Sequence, residues 1–157
     1  MSEQNIRAEI LTDQGYVNLR GNPENKTFRK AAESVLGQAL PVEPNTISTG
    51  KQQVFWLGPD EWLIVAPADA VTTTVTELAD ALSGCHAAVN DVSGGNVGYR
   101  LSGADTRKLF AKGCTLDFHP DAFAVGHCAQ SGLGKATVLF GICLLYTSDA
   151  ADDYFWV

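Results

Sequence analysis

The alternation of apolar and polar residues predicts a strand and a helix in the first third of the chain. Residues 1–14 are polar and are predicted to be a loose lead-in. Tyr16–Leu19 is a short strand candidate, closed by the turn-forming Gly21-Asn22-Pro23. A helix is predicted from about Asn25 to Leu36, because its apolar residues recur at spacings of three and four, and Gly37 can end it.

The next apolar residues predict a hairpin that carries two tryptophans. Gln53–Leu57 and Glu61–Ala66 are strand candidates, and Gly58-Pro59-Asp60 between them has the composition of a tight turn. Trp56 and Trp62 are expected at the centre of this hairpin.

The second half of the chain continues the alternation of helices and strand pairs. Its predicted elements are a helix over Ala68–Leu82, strands over His86–Val92 and Asn96–Ser102, a helix from Gly103-Ala104-Asp105 through Ala111, and strands over Phe123–Gln130 and Lys135–Gly141. Hairpins that alternate with single helices favour the α+β class, with helices packed on a mainly antiparallel sheet.

Composition narrows the class of protein. The 157 residues fit one domain, placed at residues 15–142, and the formal charge of −7 with scattered basic residues argues against a nucleic-acid or anionic-membrane partner. No apolar run approaches the roughly 20 residues that span a bilayer. The four cysteines form no C-x-x-C pair, which favours reduced thiols in the cytoplasm over disulfides or metal ligands.

The search for catalytic residues assigns none. Asp60 and Glu61 are adjacent on a strand and therefore point to opposite faces, so they cannot act together on one atom. His86, His119 and His127 lie in three separate segments; a zinc site that also uses Cys114 or Cys128 is an alternative that folding alone could create. Cys128 next to His127 is interpreted as a buried structural cysteine.

Two glycine-rich stretches raise the alternative of a phosphate-binding loop. Ser93–Asn96 and Gly132–Lys135 lack the P-loop spacing, and neither is followed by a predicted helix whose N-terminus could hold an anion. Both are predicted to be hairpin turns. No cofactor-binding or metal-binding residue is assigned.

Aromatic residues are the remaining candidates for function. Phe55, Trp56, Trp62 and Tyr99 fall on predicted strands, where core packing is the ordinary explanation. The alternative is an exposed anchor for a partner protein, since Trp and Tyr dominate interface hot spots. Trp56, Trp62 and Tyr99 are therefore the candidate interface residues.

The last fifteen residues, 143–157, are set apart from the fold. Their first ten, Cys-Leu-Leu-Tyr-Thr-Ser-Asp-Ala-Ala-Asp, resemble the translation of a transposon-end adapter used to prepare sequencing libraries. We expect the natural sequence to be interrupted at about Ile142, and residues 143–157 are excluded from the fold prediction as a non-native tail. A genuine terminal strand is the alternative.

Several motifs resemble the gamma subunit of heterotetrameric sarcosine oxidase. They cover nearly all of residues 10–142, and the most specific are the Trp-Leu-Gly-Pro-Asp-Glu-Trp and Ala-Lys-Gly-Cys-x-Leu-Asp runs. The motifs are Gly15-Tyr16-Val17-Asn18-Leu19-Arg20-Gly21, Leu40-Pro41, Pro44-Asn45-Thr46, Trp56-Leu57-Gly58-Pro59-Asp60-Glu61-Trp62-Leu63, Asp91-Val92-Ser93, Leu101-Ser102-Gly103, Leu109-Phe110-Ala111-Lys112-Gly113-Cys114 and Leu116-Asp117-Phe118-His119-Pro120, with Phe123 and Cys128-Ala129-Gln130 beyond them.

More distantly, Asp91–Leu133 resembles the folate-binding aminomethyltransferases of glycine cleavage. Those enzymes carry a key aspartate just after a glycine-rich hairpin, whereas Gly132–Phe140 contains no Asp or Glu. The resemblance therefore implies an aminomethyltransferase-like, folate-binding-domain-like α+β fold that has lost the folate site.

The family resemblance implies a non-catalytic accessory subunit. Its partners would be the alpha, beta and delta subunits of an oxidase that demethylates sarcosine to glycine, forms hydrogen peroxide and passes a one-carbon unit to tetrahydrofolate. The FAD, FMN, NAD and tetrahydrofolate of that complex are implied to bind the large subunits, with no cofactor in this chain. The alternative is a stand-alone folate-binding protein or one-carbon transferase.

Overall fold

The computed structural model of the chain describes residues 5–147 and 150–156, with side chains for residues 5–143. Its elements in chain order are β1 (Arg7–Leu11), β2 (Gln14–Gly21), α1 (Lys26–Leu36), β3 (Ile47–Thr49), β4 (Gln53–Gly58), β5 (Glu61–Pro67), α2 (Val71–Ala81), β6 (Ala87–Asp91), β7 (Gly98–Ser102), α3 (Thr106–Gly113), β8 (Cys128–Leu133), β9 (Ala136–Thr147) and β10 (Ala150–Trp156). Short 3-10 turns cover Ala68–Ala70 and Ser93–Gly95.

The chain divides into two compact units. The central unit is Thr12–Asn96, and the terminal unit combines the residues up to Leu11 with those from Val97 onward. Each unit contains one five-stranded sheet, in the order β3-β4-β5-β2-β6 in the central unit and β1-β7-β10-β9-β8 in the terminal unit. Every strand pair in both sheets is antiparallel.

The central unit buries one face of its sheet under α1 and α2. Strand register places Leu19 opposite Trp62 and Val17 opposite Ile64, so these four apolar side chains share a face of the sheet. All four are fully buried and pack with apolar residues of both helices. The core therefore lies between the helices and this face.

Local sequence explains where α1 begins and ends. The Asn25 side chain accepts hydrogen bonds from the backbone N–H groups of Thr27 and Phe28, at 3.0 and 3.2 Å, and so caps the first turn. Gly37 follows in the left-handed conformation, with φ of 67°, and its N–H donates to the Glu33 carbonyl.

The terminal unit closes its core with one helix and a long loop. Residues 114–127 connect α3 to β8 and bury Phe118 and Phe123 against Phe110 of α3 and Phe140 of β9. The ring centroids of Phe118 lie 5.2–5.7 Å from those of its three aromatic neighbours. Tilted and edge-on ring contacts of this kind stabilise the core by more than the buried apolar area alone would.

The structure confirms the α+β class and several predicted elements. Helix α1, the β4–β5 hairpin and helix α2 all form where periodicity and turn residues placed them. The Gly132–Lys135 turn is confirmed as well, since β8 and β9 pair directly across it and Gly134 adopts a positive φ of 58°.

Two of the predicted local structures are wrong. Ser93–Asn96 is not a hairpin turn, because β6 pairs with β2 while β7 pairs with β1 and β10 in the other sheet. This stretch leads from β6 in one sheet to β7 in the other. The placement of one domain at residues 15–142 stays a prediction. The expected strand from Phe123 begins only at Cys128, because burial of Phe118 and Phe123 holds the preceding residues as a loop.

The two ends of the chain also differ from the sequence prediction. The lead-in contains β1, whose Arg7–Leu11 backbone pairs along the length of β7. Residues 143–157 were excluded from the fold, but β9 continues to Thr147 and β10 pairs with both β9 and β7. Ser148, Asp149 and Val157 lie outside the described residues. The adapter origin of these residues stays a prediction.

Candidate functional site

The only adjacent carboxylates before the tail have a structural role. Arg20 on β2 reaches Asp60 at 3.5 Å and Glu61 at 3.8 Å, across the strand pairing that joins β2 to β5. The Asp60 carbonyl also accepts a hydrogen bond from the Gly21 N–H. Asp60 and Glu61 therefore stabilise the hairpin and its neighbour, and both reach one guanidinium group although the sequence analysis expected them to point to opposite faces.

The histidines in the loop between α3 and β8 stabilise turns. His119 Nδ1 accepts a hydrogen bond from the Asp121 N–H at 3.2 Å, and His127 Nδ1 accepts one from the Ala124 N–H at 3.3 Å. Among the described residues, no three His, Cys, Asp or Glu side chains cluster as a metal site would require. The zinc alternative has no support in this geometry.

The Asp91-Val92-Ser93 motif extends the pairing of β6 beyond its last residue. Ser93 Oγ accepts a hydrogen bond from the Tyr16 N–H at 2.9 Å, and the Val92 N–H donates to the Tyr16 carbonyl at 2.9 Å. The Asp91 carboxylate accepts from the Ser93 N–H at 2.9 Å, and its hydrogen bonds with Ser93 hold the pKa of Asp91 below its usual value. The motif thus fixes the backbone where the chain leaves the central sheet.

Arg107 is a residue whose importance the sequence did not indicate. Its Nη1 donates hydrogen bonds to the carbonyls of Phe118 and Phe123, at 2.7 and 2.8 Å. Both acceptors lie in the loop that closes the terminal core. A lone arginine on a short helix carries no sequence signal for this function, because its acceptors are backbone atoms 11 and 16 residues away.

The structure corrects the assignment of Trp62 as an interface residue. Its side chain is 0% exposed, its ring centroid lies 5.9 Å from that of Phe28, and its indole N–H donates to the Pro41 carbonyl at 2.7 Å. A residue enclosed in this way cannot contact a partner in the folded chain. Core packing, the ordinary explanation for aromatics on strands, holds for Trp62.

Trp56 differs from Trp62 although the two lie directly opposite each other on β4 and β5. Trp56 is half-buried and lines a groove of about 700 Å³ within the central unit. The groove is bordered by apolar and charged residues from three loops and α1; the lining residues are Asn22, Pro23, Glu24, Arg29, Val42, Pro44, Trp56, Pro59 and Asp60. We call it the Trp56 groove.

Tyr99 lines a second groove, of about 540 Å³, within the terminal unit. Its walls are apolar residues of β7, α3 and the β8–β9 turn, including Leu101, Leu109 and Leu133. Tyr99 and Leu109 are exposed, at 38% and 39%. Lys112 is the one charged residue among the described side chains that line this groove.

Comparison with known proteins decides the family. Residues 20–157 match the family described as sarcosine oxidase, gamma subunit. The chain belongs to the sarcosine oxidase gamma subunit family. The match continues through the residues that the sequence analysis set apart as a tail.

Curated relatives in this family are longer than the chain. It is 34% identical over 125 residues to sarcosine oxidase subunit gamma of Corynebacterium sp. (strain P-1), which covers 78% of this chain and 60% of that protein. It is 33% identical over 111 residues to the Arthrobacter sp. subunit, covering 69% of this chain and 54% of that one. The chain therefore spans about three fifths of the relatives that it matches.

Solved structures show the same fold. A chain of the heterotetrameric sarcosine oxidase from Corynebacterium sp. U-96, in complex with pyrrole 2-carboxylate, matches with a TM-score of 0.83 at 23% identity, covering 100% of this chain and 77% of that one. Glycine cleavage system aminomethyltransferase T from Bartonella henselae matches with a TM-score of 0.66 at 13% identity, covering 99% and 42%. This chain thus shares its fold with an aminomethyltransferase of the glycine cleavage system, as the sequence resemblance predicted.

Among the described residues, no helix is both long and apolar enough to cross a bilayer.

Proposed function

We propose that this chain is a non-catalytic accessory subunit of a heterotetrameric sarcosine oxidase. The observation that carries the proposal is the β8–β9 hairpin, which forms without any acidic residue from Gly132 to Phe140. The family resemblance implies that related aminomethyltransferases place a key aspartate just after this hairpin. The scaffold is therefore present without the carboxylate that would hold and polarise a folate.

The residues around the hairpin do not fit a folate of that kind. The groove next to the β8–β9 turn is lined by Leu101, Leu133 and other apolar side chains, and Lys112 is its only charged member among the described side chains. A pterin ring needs hydrogen-bonding groups that match its polar edge, and burying that edge unpaired costs free energy. We therefore assign no folate step to this chain.

The cofactors and chemistry of the complex then belong to the large subunits. In this proposal the alpha and beta chains hold FAD, FMN, NAD and tetrahydrofolate, and they demethylate sarcosine to glycine with formation of hydrogen peroxide. This chain covers apolar surface on those chains, with the delta subunit completing the assembly in the cytoplasm. Four cysteines without a disulfide-type spacing support a reducing compartment.

Affinity purification tests the proposal directly. The full chain, tagged at its N-terminus, is co-expressed with the alpha, beta and delta chains from the same source, and the flavin absorbance of the eluate is recorded. We expect a yellow eluate that contains both large chains. A colourless eluate of the tagged chain alone would contradict the subunit assignment.

A folate titration of the isolated chain distinguishes the alternative function. Calorimetry with tetrahydrofolate is expected to give no heat of binding up to millimolar ligand. Saturable micromolar binding would favour a stand-alone folate-binding protein or one-carbon transferase instead.

A further inference from the structure

The Trp56 groove is a partly exposed surface of the central unit that combines apolar and charged residues. Its apolar members are Trp56, Val42 and the three prolines Pro23, Pro44 and Pro59. Val42 is 45% exposed even though its neighbour Pro41 is buried and bonded to Trp62. Covering such a water-exposed apolar side chain with a partner lowers the free energy of the complex.

Hydrogen bonds hold the walls of the groove in one geometry. Thr46 Oγ1 donates to the Glu43 carbonyl at 2.7 Å, which closes the turn that follows Val42. The Trp56 N–H donates to the Thr46 carbonyl at 3.0 Å and so ties this turn to β4. Because the walls are already ordered, a ligand that enters the groove does not have to order them.

The prolines restrict how a partner can bind. Pro23, Pro44 and Pro59 have no backbone N–H, so the walls cannot donate the regular series of hydrogen bonds that an added β-strand needs. The groove has a volume of about 700 Å³, which is enough for one or two large side chains. Its shape therefore fits insertion of a side chain next to Trp56.

The charges around the groove favour a basic partner. Arg29 is paired with Glu33 at 3.1 Å, so it adds no unpaired positive charge to the groove. Asp60 shares Arg20 with Glu61, at 3.5 and 3.8 Å, so its negative charge is only partly neutralised. Glu24 lines the groove and Glu43 lies between Val42 and Pro44; among the described residues neither glutamate makes an ion pair. Glu24 in the wall of the groove and the exposed Glu43 in the adjoining turn are complementary to Arg or Lys next to an apolar side chain.

We propose that the Trp56 groove is the docking site for a segment of a large oxidase subunit that inserts an apolar or aromatic side chain beside Trp56 and pairs an adjacent Arg or Lys with Glu24 and Glu43. The inference rests on the proposed accessory function and adds the face through which the subunit binds. Trp56 is the anchor and the two glutamates select the charge of the segment.

Competition between two tagged copies measures the contribution of the groove. Wild-type chain with one tag and a variant with a second tag are co-expressed with the large subunits, and flavin absorbance is compared between the two eluates. We expect Trp56→Ala, Val42→Arg and the double variant Glu24→Lys/Glu43→Lys each to recover less than about a tenth of the wild-type flavin, because a few residues at the centre of an interface carry most of its binding free energy.

Matched controls separate docking from general effects of the substitutions. Val97→Arg places the same change on a more exposed valine, and Glu77→Lys reverses a charge on the outer face of α2. Both are expected to recover as much flavin as the wild type. Thermal unfolding followed by circular dichroism is expected to be unchanged for Val42→Arg, because Val42 lies outside the core.

The outcomes distinguish this inference from the function on which it rests. Equal flavin recovery by wild type and all three groove variants would overturn the docking site and leave the accessory function standing. A wild-type chain that draws no flavin would overturn both. If two wild-type copies bind each other without the large subunits and Val42→Arg abolishes that binding, the groove binds a second copy of this chain and the inference is wrong.

Discussion

The central and terminal units cover the same kind of sheet in different ways. In the central unit, α1 and α2 lie over a five-stranded antiparallel sheet and bury a mainly aliphatic core around Trp62. In the terminal unit, one eight-residue helix and the loop of residues 114–127 bury a core in which four phenylalanines meet. Regular helices stabilise the first core, whereas the second depends on side chains that hold an irregular loop.

The difference bears on what each unit can do for a partner. The central unit keeps an ordered, charged groove beside Trp56, while the terminal unit keeps the apolar groove beside Tyr99. A surface with fixed walls and unbalanced charges can select a partner by sequence, because mismatched charges are penalised on binding. The Trp56 groove has both properties.

The largest predicted effect removes the centre of the central core. Trp62→Ala deletes a fully buried indole that contacts Phe28 and donates to Pro41. We expect the free energy of unfolding to fall by about 3–5 kcal/mol, as for other buried aromatic residues. Urea unfolding followed by circular dichroism measures it.

Trp62→Phe is the matched variant for that experiment. It keeps an aromatic ring but removes the indole N–H, so the Pro41 carbonyl loses its donor. We expect a smaller loss, of about 1–3 kcal/mol. If Trp62→Ala costs less than the phenylalanine variant, the central core does not depend on this side chain.

A smaller effect is predicted for the residue that holds the terminal loop. Arg107→Ala removes the donors to the Phe118 and Phe123 carbonyls, and we expect a loss of about 1–3 kcal/mol. Hydrogen exchange should quicken at the Gly126 amide, which bonds to the Ile142 carbonyl at 2.8 Å, and should stay unchanged in α1.

Arg29→Ala in the central unit is the control for Arg107. Arg29 makes a partly exposed pair with Glu33 on the same helix, and such pairs contribute about 0.3–0.5 kcal/mol. Equal losses in the free energy of unfolding for the two variants would mean that the terminal loop does not need Arg107. The terminal core would then not depend on side chains that hold the loop.

The smallest effect concerns pH. The pKa of Asp91 is lower in the folded chain than its ordinary value, chiefly because of its hydrogen bonds with Ser93, so the ionised carboxylate stabilises the fold. This contribution is present above the unfolded-state pKa and is lost as the pH falls through the folded-state pKa. Asp91→Asn retains an acceptor for the Ser93 N–H and removes the titration.

Melting temperatures between pH 7 and pH 3 measure this contribution. The wild type is expected to lose slightly more stability than Asp91→Asn over that range. An identical pH dependence for the two proteins would show that the Asp91–Ser93 contact does not stabilise the ionised form.

Much of the central unit could be predicted from the sequence because its signals are local. The spacing of Phe28, Ala32 and Leu36, the Asn25 cap and the Gly58-Pro59-Asp60 turn each act over a few residues. Long-range contacts fix the rest. Pairing of β7 with β1 and β10, and burial of Phe118 and Phe123, depend on residues that are distant in sequence and leave no periodic pattern.

The candidate site shows the same limit. The sequence identified Trp56 and Trp62 as equal candidates, because both are tryptophans at the same level of one hairpin. Only the position of α1 over Trp62 and of the three prolines around Trp56 makes one a core residue and the other part of a groove. The exposure of Val42 is known only from the structure, because a single valine between Pro41 and Glu43 has no periodic pattern around it that would predict a buried or an exposed position.

Omission of this chain tests the central claim most directly. The large oxidase subunits are expressed with and without it, and two quantities are measured: the yield of flavin-containing complex, and sarcosine-dependent peroxide formation per bound flavin. The account predicts a lower yield without this chain and an unchanged rate per flavin in the complex that remains. A complex obtained in full yield that has lost its rate per flavin would contradict the account, because this chain would then contribute to the chemistry itself.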